Sequence, residues 1–127
     1  MENVTELTLD RSKWICGSPN YNFTTLNCLG KGNVLLLNEE GYMCCLGQFA
    51  LELGATMSQI YGMGAPSTVI DFNNDLLIDN NNTNHLDSTF SLKAININDD
   101  QRTTVEEKIE LLTQLCNEYD IKLKVIN

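Results

Sequence analysis

Residues 103–126, TTVEEKIELLTQLCNEYDIKLKVI, decide the fold class because their pattern changes from helical to strand periodicity. Apolar side chains first recur at the spacing of one helical face, at Val105, Ile109, Leu112, Cys116 and Tyr119. Thr103 and Thr104 are each followed three residues later by Glu, so a capping box is predicted in either register. From residue 121 the apolar residues alternate with Lys122 and Lys124, which predicts a strand. Exposed lysines are typical of an edge strand.

The same patterns predict the other elements. Strands are expected at residues 5–9, 33–37 and 67–72, and continuous apolar character favours a central position for residues 33–37. Helices are expected at residues 42–53, where Gly54 ends the helix, and at residues 88–97, before a turn at 98–100. A further short helix is expected to begin at Thr56. The apolar residues 76–78 are expected to dock on the core. Strands at both ends with helices between them indicate an α+β fold: a small single-domain sandwich over residues 1–127, with a short mixed or antiparallel sheet and three to four helices.

Charge and hydropathy limit the partners and the compartment. The chain has 8 basic and 17 acidic residues, a net charge of −9, so binding to duplex nucleic acid is not expected. An acidic surface suits a basic protein partner instead. There is no apolar run of transmembrane length and the start, Met1-Glu2-Asn3, does not resemble a secretory signal. We therefore expect a protein of the cytoplasm that does not enter the membrane.

Cysteine and metal patterns favour no cofactor. An odd number of cysteines, including an adjacent pair, indicates reduced and buried thiols, at Cys16, Cys28, Cys44, Cys45 and Cys116. Their spacing does not match a zinc site, and His85 is the only histidine. Residues 71–75 begin like a calcium loop, but Leu76 and Asn82 stand where Gly and Glu are required.

One segment has the composition of a ligand-binding loop. From Arg11 to Asn38 there is no acidic residue. Cations bind phosphate and aromatic rings stack on bases, so the candidate ligand-binding residues are Arg11, Lys13, Trp14, Tyr21, Phe23 and Lys31. The alternative is that Trp14 and Phe23 are core residues and the charges are solvated. The triplet Gly30-Lys31-Gly32 precedes a predicted strand rather than a helix, so it is not a phosphate loop.

Three blocks carry a resemblance: LDRSKW at residues 9–14, LLNEEGYMCCLG at 36–47 and INDD at 97–100. Together they resemble small, mostly uncharacterised proteins encoded by phages and prophages of low-GC bacteria. The resemblance covers most of the chain and brings no active site with it. It implies an accessory phage protein that acts on its host from the bacterial cytoplasm.

Three functional hypotheses follow. The first is a counter-defence protein that sequesters a small, nucleotide-derived, anionic immune signal through the candidate ligand-binding residues. The alternative is an acidic inhibitor that blocks the basic surface of a host nucleic-acid-handling or defence protein. The third is a small enzyme that cleaves such a signal with His85, Asp99 and Asp100. A homodimer paired through the last strand is also conceivable, although Lys122 and Lys124 oppose that pairing.

Overall fold

The computed structural model describes residues 4–17, 33–81 and 85–127, and its α+β class agrees with the sequence prediction. The strands are β1 (Glu6–Asp10), β2 (Ile78–Asp79), β3 (Leu86–Asp87) and β4 (Lys122–Ile126). The helices are α1 (Cys45–Glu52), α2 (Met57–Ile60), α3 (Thr89–Asp99) and α4 (Val105–Glu118). Short 3-10 turns lie at Arg11–Lys13 and Pro66–Thr68.

The central sheet joins the two predicted terminal strands. β1 and β4 pair in parallel, with Leu7 opposite Leu123 and Leu9 opposite Val125. These residues face the core, which agrees with the alternation in both segments, and the two leucines of β1 are fully buried. A second sheet is the short antiparallel pair β2–β3. The strands are thus divided between one parallel and one antiparallel pair rather than joined in a single mixed sheet.

Helix α1 closes the outer edge of β1 with two side chains. The backbone N–H of Thr8 donates to Glu52 Oε1 at 2.5 Å, and that of Asp10 donates to Gln48 Oε1 at 2.6 Å. Gln48 Nε2 donates in return to the Asp10 carbonyl at 3.0 Å. The Gln48 amide therefore makes the two hydrogen bonds that a neighbouring strand would make, which satisfies an edge that would otherwise invite pairing.

Residues 33–37 are buried as predicted at Leu36 and Leu37, but the prediction of a central strand is wrong. Their only β-bridge in the described part of the chain joins Leu37 to Tyr61. The reason is the close approach of α1, where an ideal Cβ on Gly47 would lie 1.8 Å from the Leu36 carbonyl oxygen. Its backbone hydrogen bonds go to residue 44 and to residues 62–63. Its apolar character therefore reflects burial beneath α1 and not a place within a sheet.

Two further boundaries differ from the sequence prediction. Residues 67–72 are a 3-10 turn and bends, not a strand, because Pro66 opens the turn and the Pro66 carbonyl accepts from Val69 N–H. Asn98 lies inside α3 rather than in a turn.

Other local predictions are confirmed. Capping boxes are present at Thr56 and Thr104. The apolar residues 76–78 dock on the core, where Leu77 and Ile78 are buried.

We expect Gly47→Ala to lower the free energy of unfolding by about 3 kcal/mol, because the new methyl group would overlap backbone that cannot rotate away. Urea unfolding followed by circular dichroism measures this difference. The control is Gly64→Ala, where no atom lies within 4 Å of the added Cβ; its effect should stay below about 0.5 kcal/mol. Equal stability of the two variants would contradict the close contact between α1 and residue 36.

Candidate functional site

The cationic residues that precede Trp14 form a 3-10 turn directly after β1. Asp10 caps this turn, since Ser12 donates to Asp10 Oδ1 from its N–H at 3.0 Å and from its hydroxyl at 2.7 Å. Burial alone would raise the pKa of Asp10, but hydrogen bonds from Asn127 and Ser12 outweigh it and lower the pKa. The turn leaves Lys13 exposed and directs Trp14 into the core, where its exposed fraction is 0%.

Trp14 is fixed by a buried asparagine. The indole Nε1 donates to Asn98 Oδ1 at 2.7 Å, and the same oxygen accepts from the Cys45 N–H at 3.0 Å. Asn98 Nδ2 donates to the Ile15 carbonyl at 3.2 Å, so one side chain joins the segment after β1, the start of α1 and the end of α3. Trp14 is a core residue, as the alternative interpretation expected, and in this arrangement its ring faces are not accessible to a base.

Arg11 is engaged with α4 rather than directed at an open cavity with Trp14. Its Nη2 lies 3.1 Å from Glu106 Oε1, and its side chain is 22% exposed. Of the candidate ligand-binding residues that the structure describes, Lys13 alone is both exposed and cationic. Tyr21, Phe23 and Lys31 lie outside the described residues, so their role in ligand binding stays a prediction.

Charges are distributed unequally between surface and core. Lys108 is fully buried, and its Nζ donates to the Thr103 carbonyl at 3.0 Å, to Thr103 Oγ1 and to the Asp100 carbonyl. It therefore holds the loop between α3 and α4. No acidic residue in the described part of the chain is buried. With Arg102 paired to Asp100 at 3.0 Å and Arg11 paired to Glu106, the accessible surface is dominated by carboxylates.

The residues proposed for catalysis do not converge. His85 precedes α3 and Asp99 ends it, and a helix of this length separates its ends by about 16 Å. Burial raises the pKa of Asp99, partly opposed by the Asn98 amide and the charge of Lys108. The hydrogen bonds from Arg102 lower the pKa of Asp100. These shifts follow from local structural contacts, and the geometry places no imidazole beside either carboxylate.

The described cysteines, Cys16, Cys44, Cys45 and Cys116, are all buried. Burial raises the pKa of Cys44 from 9.0 to about 12 and that of Cys116 to about 11, which makes these thiols poor nucleophiles and poor ligands at neutral pH. Over residues 4–17, 33–81 and 85–127, no three His, Cys, Asp or Glu side chains are grouped so that they could hold a metal ion. Cys28 lies outside these ranges.

Comparisons with protein-family models, with curated proteins and with solved structures gave no significant match. Within the described residues, no helix combines the length and apolar character needed to cross a bilayer.

Two residues of this region escaped the sequence analysis, Asn98 and Lys108. Both carry a detectable signal, because each is a polar residue at an apolar position of its helix. Lys108 lies between Val105 and Leu112 on the buried face of α4. Asn98 lies one turn after the buried Ala94 of α3.

We expect Asn98→Ala to lower the free energy of unfolding by about 3 kcal/mol, because it leaves the Trp14 indole N–H and the Cys45 N–H buried without an acceptor. Chemical denaturation followed by the fluorescence of Trp14, the only tryptophan, gives the value. Asn96→Ala, at an exposed position of the same helix, should be nearly neutral. An Asn98→Ala variant as stable as Asn96→Ala would show that the amide does not hold this junction.

The buried thiols predict a loss of stability at alkaline pH. Above about pH 9 the unfolded chain releases the Cys44 proton while the folded chain keeps it until about pH 12, so the stabilisation present below pH 9 is lost as pH rises. We expect Cys44→Ala to flatten the decline by up to about 1.4 kcal/mol per pH unit. Urea unfolding at several pH values between about 8 and 11 measures the slope. Parallel pH profiles for the variant and the original protein would contradict the prediction.

Proposed function

We propose that this chain is an acidic binding protein that covers the basic surface of a nucleic-acid-handling protein. The observation that carries the proposal is the partition of charge: the described carboxylates all reach the surface, whereas Lys108 is buried and Arg11 and Arg102 are neutralised by ion pairs. Each ion pair neutralises one cation together with one carboxylate, whereas burial of Lys108 removes a cation from the surface without removing an acid. The accessible surface therefore keeps the strongly negative balance of the net charge of −9. Such a surface attracts a cationic partner and accelerates their encounter.

Helix α4 presents a continuous part of this surface. The helix is 14 residues long, or about 21 Å, and its exposed positions include Glu106, Glu107, Glu110 and Glu118. Leu111 lies among them and is 38% exposed. A rigid helix with carboxylates and one apolar side chain can lie along a surface that otherwise binds a phosphate backbone.

The resemblance to phage-encoded proteins supplies the biological part of the proposal. The partner would be a host protein in the bacterial cytoplasm, and its occupation would serve the phage against host defence. Sequestration of a nucleotide signal is supported less well. It depends on Tyr21, Phe23 and Lys31, because the structure gives Trp14 and Arg11 other contacts.

We expect immobilised protein to retain a basic nucleic-acid-binding protein from a lysate of a low-GC bacterium, with retention lost as salt rises from about 0.05 M to about 0.5 M. Duplex DNA should compete with the immobilised protein for the eluted partner. The double variant Glu110→Gln/Glu118→Gln should release the partner at lower salt, because it removes two charges from the exposed face of α4. Elution profiles measured by mass spectrometry provide the comparison.

The matched control is Gln114→Ala/Asn117→Ala, which alters exposed, uncharged positions of the same helix and should elute as the original protein does. Retention that does not depend on salt, or a retained protein indifferent to DNA, would contradict the proposed function.

A further inference from the structure

We propose that the cleft beside Tyr61 receives an arginine side chain from the basic protein partner. This cleft has a volume of about 200 Å³ and is lined by Asn33, Leu35, Asn38, Glu39, Glu40, Tyr61 and Gly62. The inference rests on the proposed function and gives it a specific point of contact, since it identifies where the partner is anchored and by which side chain.

One wall of the cleft is a turn that asparagine holds in shape. Asn38 Oδ1 accepts from the N–H of Glu40 at 2.9 Å and of Tyr42 at 3.0 Å. Asn38 is itself buried, and Gly41 completes the turn with a φ of 89°. Two adjacent glutamates are therefore displayed from a backbone that is ordered before any partner binds, which lowers the entropic cost of association.

The other wall is the end of α2. The Gly62 N–H donates to the Leu37 carbonyl at 2.9 Å, and the Leu36 N–H donates to the Met63 carbonyl at 2.8 Å. These bonds fix Tyr61 beside the turn while its side chain remains 50% exposed. Met57, four residues earlier in the chain, is likewise exposed, at 51%.

The carboxylates of this cleft are available, unlike those of the larger cleft near the start of α3. There Asp75 accepts from the Asn80 side chain and Asp79 accepts from the Asn81 N–H at 3.1 Å. The side-chain carboxylates of Glu39 and Glu40 form no hydrogen bond or ion pair with any residue that the structure describes, and both residues are exposed. A cation that enters beside Tyr61 thus meets two carboxylates without competing for them.

Arginine fits this combination better than lysine. A guanidinium presents its N–H groups in a plane that matches carboxylate oxygens, and the same plane stacks on an aromatic face. A ring with adjacent carboxylates can use both properties at once, whereas an ammonium group uses mainly charge. We therefore expect the partner to contribute an arginine from a basic loop or from the edge of a basic sheet. Neighbouring side chains of the partner would cover Met57.

The test uses an oligo-arginine peptide as probe and oligo-lysine as comparison, with binding followed by amide chemical shifts of the isotope-labelled protein. We expect oligo-arginine to bind more tightly and to shift the amides of residues 38–41 and 61–62. Tyr61→Ala should weaken its binding by about tenfold or more without any change in net charge. Glu39→Gln/Glu40→Gln should have a similar effect, and Tyr61→Phe, which keeps the ring face, should bind nearly as the original protein does.

The charge-matched control is Glu110→Gln/Glu118→Gln, which should leave the shifts at residues 38–41 in place. Shifts that map to α4 instead, equal binding by Tyr61→Ala, or no binding of oligo-arginine would each overturn the assignment of the cleft. These failures are separable from failure of the proposed function. If the partner is retained in a salt-dependent way and Tyr61→Ala retains it as tightly as the original protein does, only the assignment of the cleft is refuted. Retention that does not depend on salt would refute the proposed function as an acidic binding protein.

Discussion

The buried amide of Asn98 is the contact on which the arrangement of the domain depends. Its oxygen accepts from the Trp14 indole and from the first N–H of α1, and its nitrogen donates to the carbonyl of Ile15. The Asn98 carbonyl also accepts from Gly17 N–H at 2.8 Å. Three elements distant in the sequence therefore meet at one side chain. Because a buried polar group must be satisfied, their relative positions cannot change without breaking several hydrogen bonds together.

That junction also determines what the N-terminal cations can do. By holding Trp14 in the core, it separates the ring from the surface on which Lys13 lies. Arg11, three residues earlier, lies beside Glu106 of α4. A cation and an aromatic residue that are close in the sequence thus serve different purposes, one in solvent and the other in the core. The N-terminal turn therefore contributes one paired cation, Arg11, and one exposed cation, Lys13, to a surface on which carboxylates outnumber cations.

Regular elements were predictable from the sequence because their signals are periodic. The alternation in β1 and β4, the apolar face of α4 and the capping boxes at Thr56 and Thr104 all correspond to structure. Residues 33–37 were not predictable, because burial under α1 and burial within a sheet give the same apolar pattern. The candidate site failed for a related reason. Composition cannot reveal which way Trp14 points, since that depends on an acceptor 84 residues away in the chain.

Asparagine side chains perform at two places the task that strands perform in more regular folds. Asn98 satisfies backbone groups of residues 15 and 45, and Asn38 satisfies those of residues 40 and 42. Without the two amides, the N–H groups of residues 40, 42 and 45 would lose their acceptors. Backbone held in this way need not follow the pleat of a sheet. It can instead turn outward at residues 39–41 and hold two glutamates beside the ring of Tyr61, a geometry that a straight strand at this position would not allow.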